Sequence, residues 1–330
     1  MSPALAVPLF LVSLAVTLAA ARLFARRLDR LGVRFGFPEA LIGLLTAVAA
    51  DGPNVSSALF ALIKGAHDVG VGVLVGSNTF QLAAMIGVSA FLAGAVRLPR
   101  ETLLLEGVVG LIITLLATAL LLRWLSPAAA VLIMALVLVP YLVLVIAGQK
   151  LSERPGSKLS RLARALHEHS RPDQPADVST NPTHHLLALI VLDVIVIVAG
   201  SAGMVQAALT LGGDWHIPSS VLGVLILAPL TSLPNALTAI RLGLSGRGAA
   251  LVGETFNSNS INLGAGVIVP SLFVTFATLS SVDKQQLGWL LAMTVVAVVV
   301  LARRDGMRRP HAAVLVGLYF AFVVGTLVGS

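Results

Sequence analysis

The chain has 330 residues, of which 57% are hydrophobic and only 11% charged, with a mean hydropathy of +0.96. Soluble domains carry about a quarter charged residues, so this balance excludes a soluble enzyme or binding module and specifies an integral membrane protein. Cysteine is absent, which excludes disulfides and thiolate metal sites, and the net charge of +7 is placed as an orientation signal, not as a nucleic-acid surface.

Long unbroken apolar runs select membrane helices over barrel strands, which would be shorter and alternating. In chain order the spans are predicted near 3–21, 38–63, 69–96, 102–122, 126–148, 185–211, 218–240, 248–276, 286–302 and 311–329. The first is followed by Arg22, Arg26, Arg27 and Arg30. A signal peptide places its charge before the apolar run, so this segment reads as a retained helix.

Ten spans put both termini on one side of the membrane. On that count, loops on a single face hold almost all the basic residues, and only Lys64, Arg123 and Lys284 of the 22 fall opposite. The positive-inside rule then places both termini outside, with the multi-pass chain in a cell (inner) membrane. The polar stretch 149–184 divides the spans five and five. It reads as a cytoplasmic linker with a short amphipathic middle, between a first repeat over 1–148 and a second over 185–330. His167, His169, His184 and His185 read as solvated residues, not as a metal site.

The second and third spans resemble the seventh and eighth. "FPEALIGLLTAVAADGPNVSSALFALIKG" followed by "VGVLVGSNTFQLAAMIGV" parallels "IPSSVLGVLILAPLTSLPNALTAIRLG" followed by "LVGETFNSNSINLGAGVIV". Pro38 matches Pro218, Gly43 matches Gly223, Pro53-Asn54 matches Pro234-Asn235, and Ser77-Asn78 matches Ser258-Asn259. Five spans per half means that the two copies enter the membrane from opposite sides. The expected fold is therefore an all-α membrane protein of ten helices in two inverted five-helix repeats, the arrangement of secondary transporters. Proline inside each span is expected to break the helix near mid-depth and free carbonyls for an ion.

At these residues the sequence resembles the Na+/Ca2+ exchanger family of the Ca2+:cation antiporter superfamily. "LTSLPN" and "GSNTFQ" carry the likeness best, while "AADGPN" and "NSNSIN" are degenerate. The resemblance places cation ligands at Ala50, Asp51, Asn54, Ser77 and Gln81 in the first repeat. In the second they fall at Thr231, Ser232, Asn235, Ser258 and Asn262. It implies a secondary antiporter working by alternating access, with transported Na+, H+ or Ca2+, the bilayer as partner and no cofactor. It also implies that the first and sixth helices slide against an ion-holding core.

Two departures bear on the ion. The family's Glu in each repeat is Asn54 or Asn235 here, and a usual Ser is Asp51. Calcium takes six to eight oxygens, several of them carboxylate, whereas this set offers one. A site charge of −1 suits Na+ or a proton, and Asp51 can trade one for the other. Asp193 and Glu254 are candidates for a second charge or a proton relay, which would readmit Ca2+; Glu39 and Glu106 lie near span ends and are expected to reach the interface. Two other classes compete. An intramembrane aspartyl protease would use Asp51 with Asp193 but lacks the Gly-x-Gly-Asp signature, and an ion sensor would bind without transport. No nucleotide motif supports an ATP-driven pump.

Overall fold

The computed structural model describes residues 2–37, 39–152 and 183–330. The first half contains α1 (Pro3–Arg34), α2 (Glu39–Ile63), α3 (His67–Ala93), α4 (Arg100–Leu121) and α5 (Pro127–Ser152). The second contains α6 (Thr183–Asp214), α7 (Ser219–Leu244), α8 (Gly248–Leu263), α9 (Ser281–Leu301) and α10 (Arg309–Gly329). Eight are long and apolar enough to cross a membrane, which makes this a multi-pass membrane protein; α2 and the 16-residue α8 are not among the eight.

The two halves repeat their local chemistry. Each central hairpin turns on a glycine in the left-handed region, Gly65 (φ +77°) between α2 and α3 and Gly246 (φ +77°) between α7 and α8. The bonds around them correspond: Ala66 N–H donates to Ala61 O and Arg247 N–H to Leu242 O, both at 2.9 Å. A side chain at either glycine would strain the turn, so the same residue type is required twice.

Lipid tails are as apolar as leucine, so close backbone approach must bind these helices together. On α3, Gly72 and Gly76 face the backbone of α7, and a Cβ on Gly76 would lie 2.7 Å from Val224 Cα. Gly223 meets Val69 in the same way, at 2.6 Å from its carbonyl oxygen. This crossing places α3 at the centre, with 89% of its span buried, against 28% for α1 and 22% for α6. Ser13 and Thr17 of α1 pack on Gly200 and Gly203 of α6, forming a peripheral pair. A short antiparallel pairing of β1 (Ala95–Val96) with β2 (Met307–Arg308) ties the α3–α4 and α9–α10 connections together.

Several expectations are corrected. Neither Pro53 nor Pro234 breaks its helix. Ser56 Oγ donates to Gly52 O at 2.6 Å and Thr231 Oγ1 to Leu227 O at 2.8 Å, the kind of local bonding that carries a membrane helix past proline. In α7 the strain is taken up earlier, by a π turn over Leu222–Leu227 just before Pro229. The predicted span 248–276 ends sooner: α8 passes through a π turn (Gly264–Ile268) and a 3-10 turn opened by Pro270, and then leaves helical geometry. α9 starts five residues before its predicted position because Ser280 and Asp283 form a reciprocal capping box. Arg22, Arg26, Arg27 and Arg30, expected in a loop, lie on α1. His184 and His185 lie in α6 with ring centroids 4.6 Å apart; the amphipathic middle of the linker, with His167 and His169, lies outside the described residues.

Candidate functional site

Four helices converge on one oxygen atom. Oδ1 of Asp51 on α2 accepts from Ser258 Oγ of α8 at 2.6 Å, Asn235 Nδ2 of α7 at 2.8 Å and Gln81 Nε2 of α3 at 3.3 Å. Asn54 Nδ2, one turn along α2, adds a longer contact at 3.4 Å and also donates to Ser232 Oγ of α7 at 3.2 Å. Asp51 is fully buried. A buried carboxylate without a basic partner needs such donors, and here neutral amides and a hydroxyl supply them.

A second layer lies beside the first. Asn262 Nδ2 of α8 donates to Asn78 Oδ1 of α3 at 3.0 Å and approaches Gln81 Oε1 at 3.5 Å, while Asn78 Nδ2 donates to Asn259 O at 3.1 Å. Gln81 thereby joins the two layers. Ser77 Oγ reaches Ala228 O at 3.5 Å, and Thr231 turns its proton back onto Leu227 O and Ala228 O. Its oxygen lone pairs remain available.

The accounting of donors and acceptors is uneven. Asp51 Oδ2, Asn235 Oδ1, Asn259 Oδ1 and Asn262 Oδ1 are buried and accept nothing, and Asn259 Nδ2 is a buried donor without a partner. Buried acceptors are almost always satisfied, so four bare oxygens in one polar cluster, one of them on the Asp51 carboxyl, form an arrangement that attracts a cation. Directly after this cluster the helices change pitch: the π turn Leu82–Val88 follows Gln81 on α3, and Gly264–Ile268 follows Asn262 on α8 by one residue. Such turns recur at functional sites.

Of the residues anticipated from sequence, Asp51, Asn54, Gln81, Ser232, Asn235 and Ser258 form one hydrogen-bonded network, and Asn262 joins it through Gln81. Ser77 and Thr231 are buried alongside it, and Ala50 brings no polar side chain. Asn78 and Asn259, the second residues of the two Ser-Asn pairs, are not among the ligands that the resemblance implies, yet both are buried within the site. Asp193 is elsewhere. It pairs with Arg27 across the α1–α6 contact, and Arg27 also donates to Leu189 O at 3.1 Å, so Asp51 and Asp193 do not share a centre. Glu254 lies one turn below Ser258 on α8, within electrostatic reach of Asp51 and Arg247. Glu106 does not reach the interface: it is buried against Tyr141, because the π turn of α4 at Leu103–Gly107 points it into the bundle. The side chain of Glu39 lies outside the described residues.

The fold is that of known ion exchangers. Structures of the sodium-calcium exchanger NCX_Mj match at 18% identity, covering 98% of this chain and 99% of that one. The TM-score is 0.59 for the form soaked with 2.5 mM Na+ and 10 mM Sr2+, 0.59 with 10 mM Na+ and zero Ca2+, and 0.57 with zero Na+ and Ca2+. No curated protein matches in sequence. The family model for the sodium/calcium exchanger protein matches residues 5–148 and 185–328, which together make up most of the chain and leave out the linker. With both halves matched, the chain belongs to the sodium/calcium exchanger protein family.

Proposed function

We propose that this protein is a secondary antiporter, not an enzyme, that exchanges a monovalent cation, Na+, for a proton at the Asp51 cluster by alternating access. The observation that carries the reading is that Asp51 is the one carboxylate in a network otherwise built of Asn, Gln and Ser. One negative charge with neutral oxygens balances Na+ or a proton. Ca2+ would retain uncompensated charge in a dry site, which is expensive. In the exchange, Na+ is taken by Asp51 with the bare oxygens of Asn235 and Asn262, and its departure leaves a carboxylate that is neutralised by protonation. One residue then couples the two ions.

The same reading places all ten helices across the membrane as two inverted repeats, α2 and α8 included. The repeats occupy 1–148 and 185–330, with 149–184 as a cytoplasmic linker. In this reading both termini face outward from a cell (inner) membrane, an orientation that the arginine distribution supports. A second reading, exchange of Ca2+, is favoured by one observation, the electrostatic reach of Glu254 to Asp51.

The test is flux in proteoliposomes under imposed Na+, K+, Li+, Ca2+ and proton gradients, comparing the intact protein with Asp51→Asn. Proton-coupled Na+ movement that the substitution abolishes is expected. Strong Ca2+ uptake that survives it would refute the single-carboxylate reading, and Na+ binding without flux would identify an ion sensor.

A further inference from the structure

Glu106 belongs to a second polar centre. It sits in the π turn of α4 with 5% of its surface exposed, and its two carboxyl oxygens lie 3.2 and 3.3 Å from the Tyr141 hydroxyl of α5. That hydroxyl also lies 3.0 Å from Asn257 Oδ1 of α8. Tyr141 has one proton to donate and three oxygens around it. With Glu106 ionised, Tyr141 has one proton for the carboxylate and Asn257 Oδ1 together, the Asn257 amide is the other donor beside the carboxylate, and a buried anion is left at membrane depth touching only neutral groups. With Glu106 protonated the bonding closes, since Glu106 donates to Tyr141 Oη and Tyr141 donates to Asn257 Oδ1. Burial with only neutral partners therefore gives Glu106 a place to hold a proton.

Among the described residues, no basic group faces this cluster. α5 presents Tyr141, and α2 contributes Leu41 to the apolar packing around it. α8 presents Asn257 and Gly253, with Glu254 beside them on the same turn. α9, which packs through Val298 on Gly107, has no charged residue between Lys284 and Arg303. On α4 itself, Arg100 and Glu101 stand more than one turn before Glu106.

The centre is adjacent to the first without being part of it. Asn257 and Ser258 are consecutive on α8, so the helix that carries the Asp51 donor also carries the far end of the Glu106 chain. It also has no counterpart in the other repeat. The spacing that relates Asn54 to Asn235 relates Gly76 to Asn257 and Val73 to Glu254. Gly76 closes α3 directly on the α7 backbone and leaves no room for a polar side chain.

We propose that Glu106, Tyr141 and Asn257 form a second proton-exchanging site, loaded and emptied from the end of the molecule where Arg97 and Arg100 lead into α4. The proposal rests on the proton-coupled reading above and adds a second proton to the transport cycle.

Two measurements on the full chain in lipid test it. Infrared difference spectroscopy in the Asp51→Asn background, which removes the Asp51 carboxyl, is expected to show a protonated-carboxyl stretch that disappears reversibly on alkalinisation and is lost when Glu106→Gln is added. In proteoliposomes, the balance of Na+ and pH gradients at zero net flux is expected to show one proton fewer per Na+ in Glu106→Gln. A band that persists when Glu106→Gln is added to Asp51→Asn, or a transport ratio unchanged by Glu106→Gln alone, overturns the proposal. Should Glu106→Gln fail to fold, Tyr141→Phe decides: the band is expected to shift as its hydrogen bond is lost, and an unshifted band overturns the site. If the wild type moves no protons against Na+ but the band behaves as expected, the exchange reading fails and the proton site stands.

Discussion

Asn235 donates to Asp51 Oδ1 at 2.8 Å, and this contact is the repeat-related copy of Asn54 donating to Ser232 Oγ at 3.2 Å. Each pair joins α2 to α7, and each consists of the residue after the span's proline and the residue three positions earlier on the partner helix. The two differ only in that one acceptor is charged. That single asymmetry gives the cage its charge. Replacing Asp51 with Asn removes the charge while keeping the shape, so a charge-assisted contact worth about 1.5–3 kcal/mol is lost. Sodium binding is expected to weaken by roughly ten- to a hundredfold, as isothermal titration would read, while unfolding temperature is unchanged or raised because a buried charge has gone.

Restoring acids should change the preferred ion. Asn235→Glu puts a second carboxylate beside Asp51, and Asn54→Glu does so from the other repeat. Either variant brings the site to −2, the minimum that neutralises Ca2+. Calcium binding is expected to appear and Na+ transport to fall, measured by ion flux under matched gradients. If neither substitution admits Ca2+, charge count is not what selects the ion.

Much of the site was legible in the sequence because polar residues inside an apolar run are costly and therefore conspicuous. Asp51, Gln81, Asn235 and Ser258 stand out that way, their assignment as ligands rests on the family resemblance, and the second copy of the motif indicates which helices meet. Glu106 does not, since it lies within a π turn, which breaks the regular helical spacing and which no residue pattern announces. Pro270 did mark the end of α8, and Ser280 with Asp283 spelled a helix start, but unbroken hydropathy obscured both signals. Charge usually ends a span at the water boundary, so the sequence alone places Arg27 in a loop. In the fold it stays within α1 by pairing with Asp193.

The α3–α7 crossing depends on missing side chains. Gly223→Ala would set a Cβ 2.6 Å from Val69 O, a backbone atom with no rotamer to change. Overpacking of this kind costs about 1–3 kcal/mol. Gly288→Ala on α9 meets nothing within 4 Å and should gain about 0.5–1 kcal/mol from helix propensity. Thermal unfolding in detergent should therefore separate the two variants in opposite directions, and equal behaviour would remove close packing as the reason for Gly223.

Arg27 and Asp193 offer a test of what a buried ion pair contributes between α1 and α6. Their side chains are 18% and 6% exposed, so most of the hydration of both charges is gone. Arg27→Ala strands Asp193, whose Oδ2 already lacks a partner, and a stranded buried charge costs about 3–5 kcal/mol when fully enclosed. Partial exposure of the pair lowers that figure here. Arg27→Met combined with Asp193→Leu removes both charges and keeps the volume, so the double variant is expected to unfold at or above the wild-type temperature while Arg27→Ala unfolds well below it. A double variant as unstable as the single one would mean that the pair holds α1 to α6 through net attraction, and that the small-residue contacts of Ser13 and Thr17 with Gly200 and Gly203 are insufficient alone.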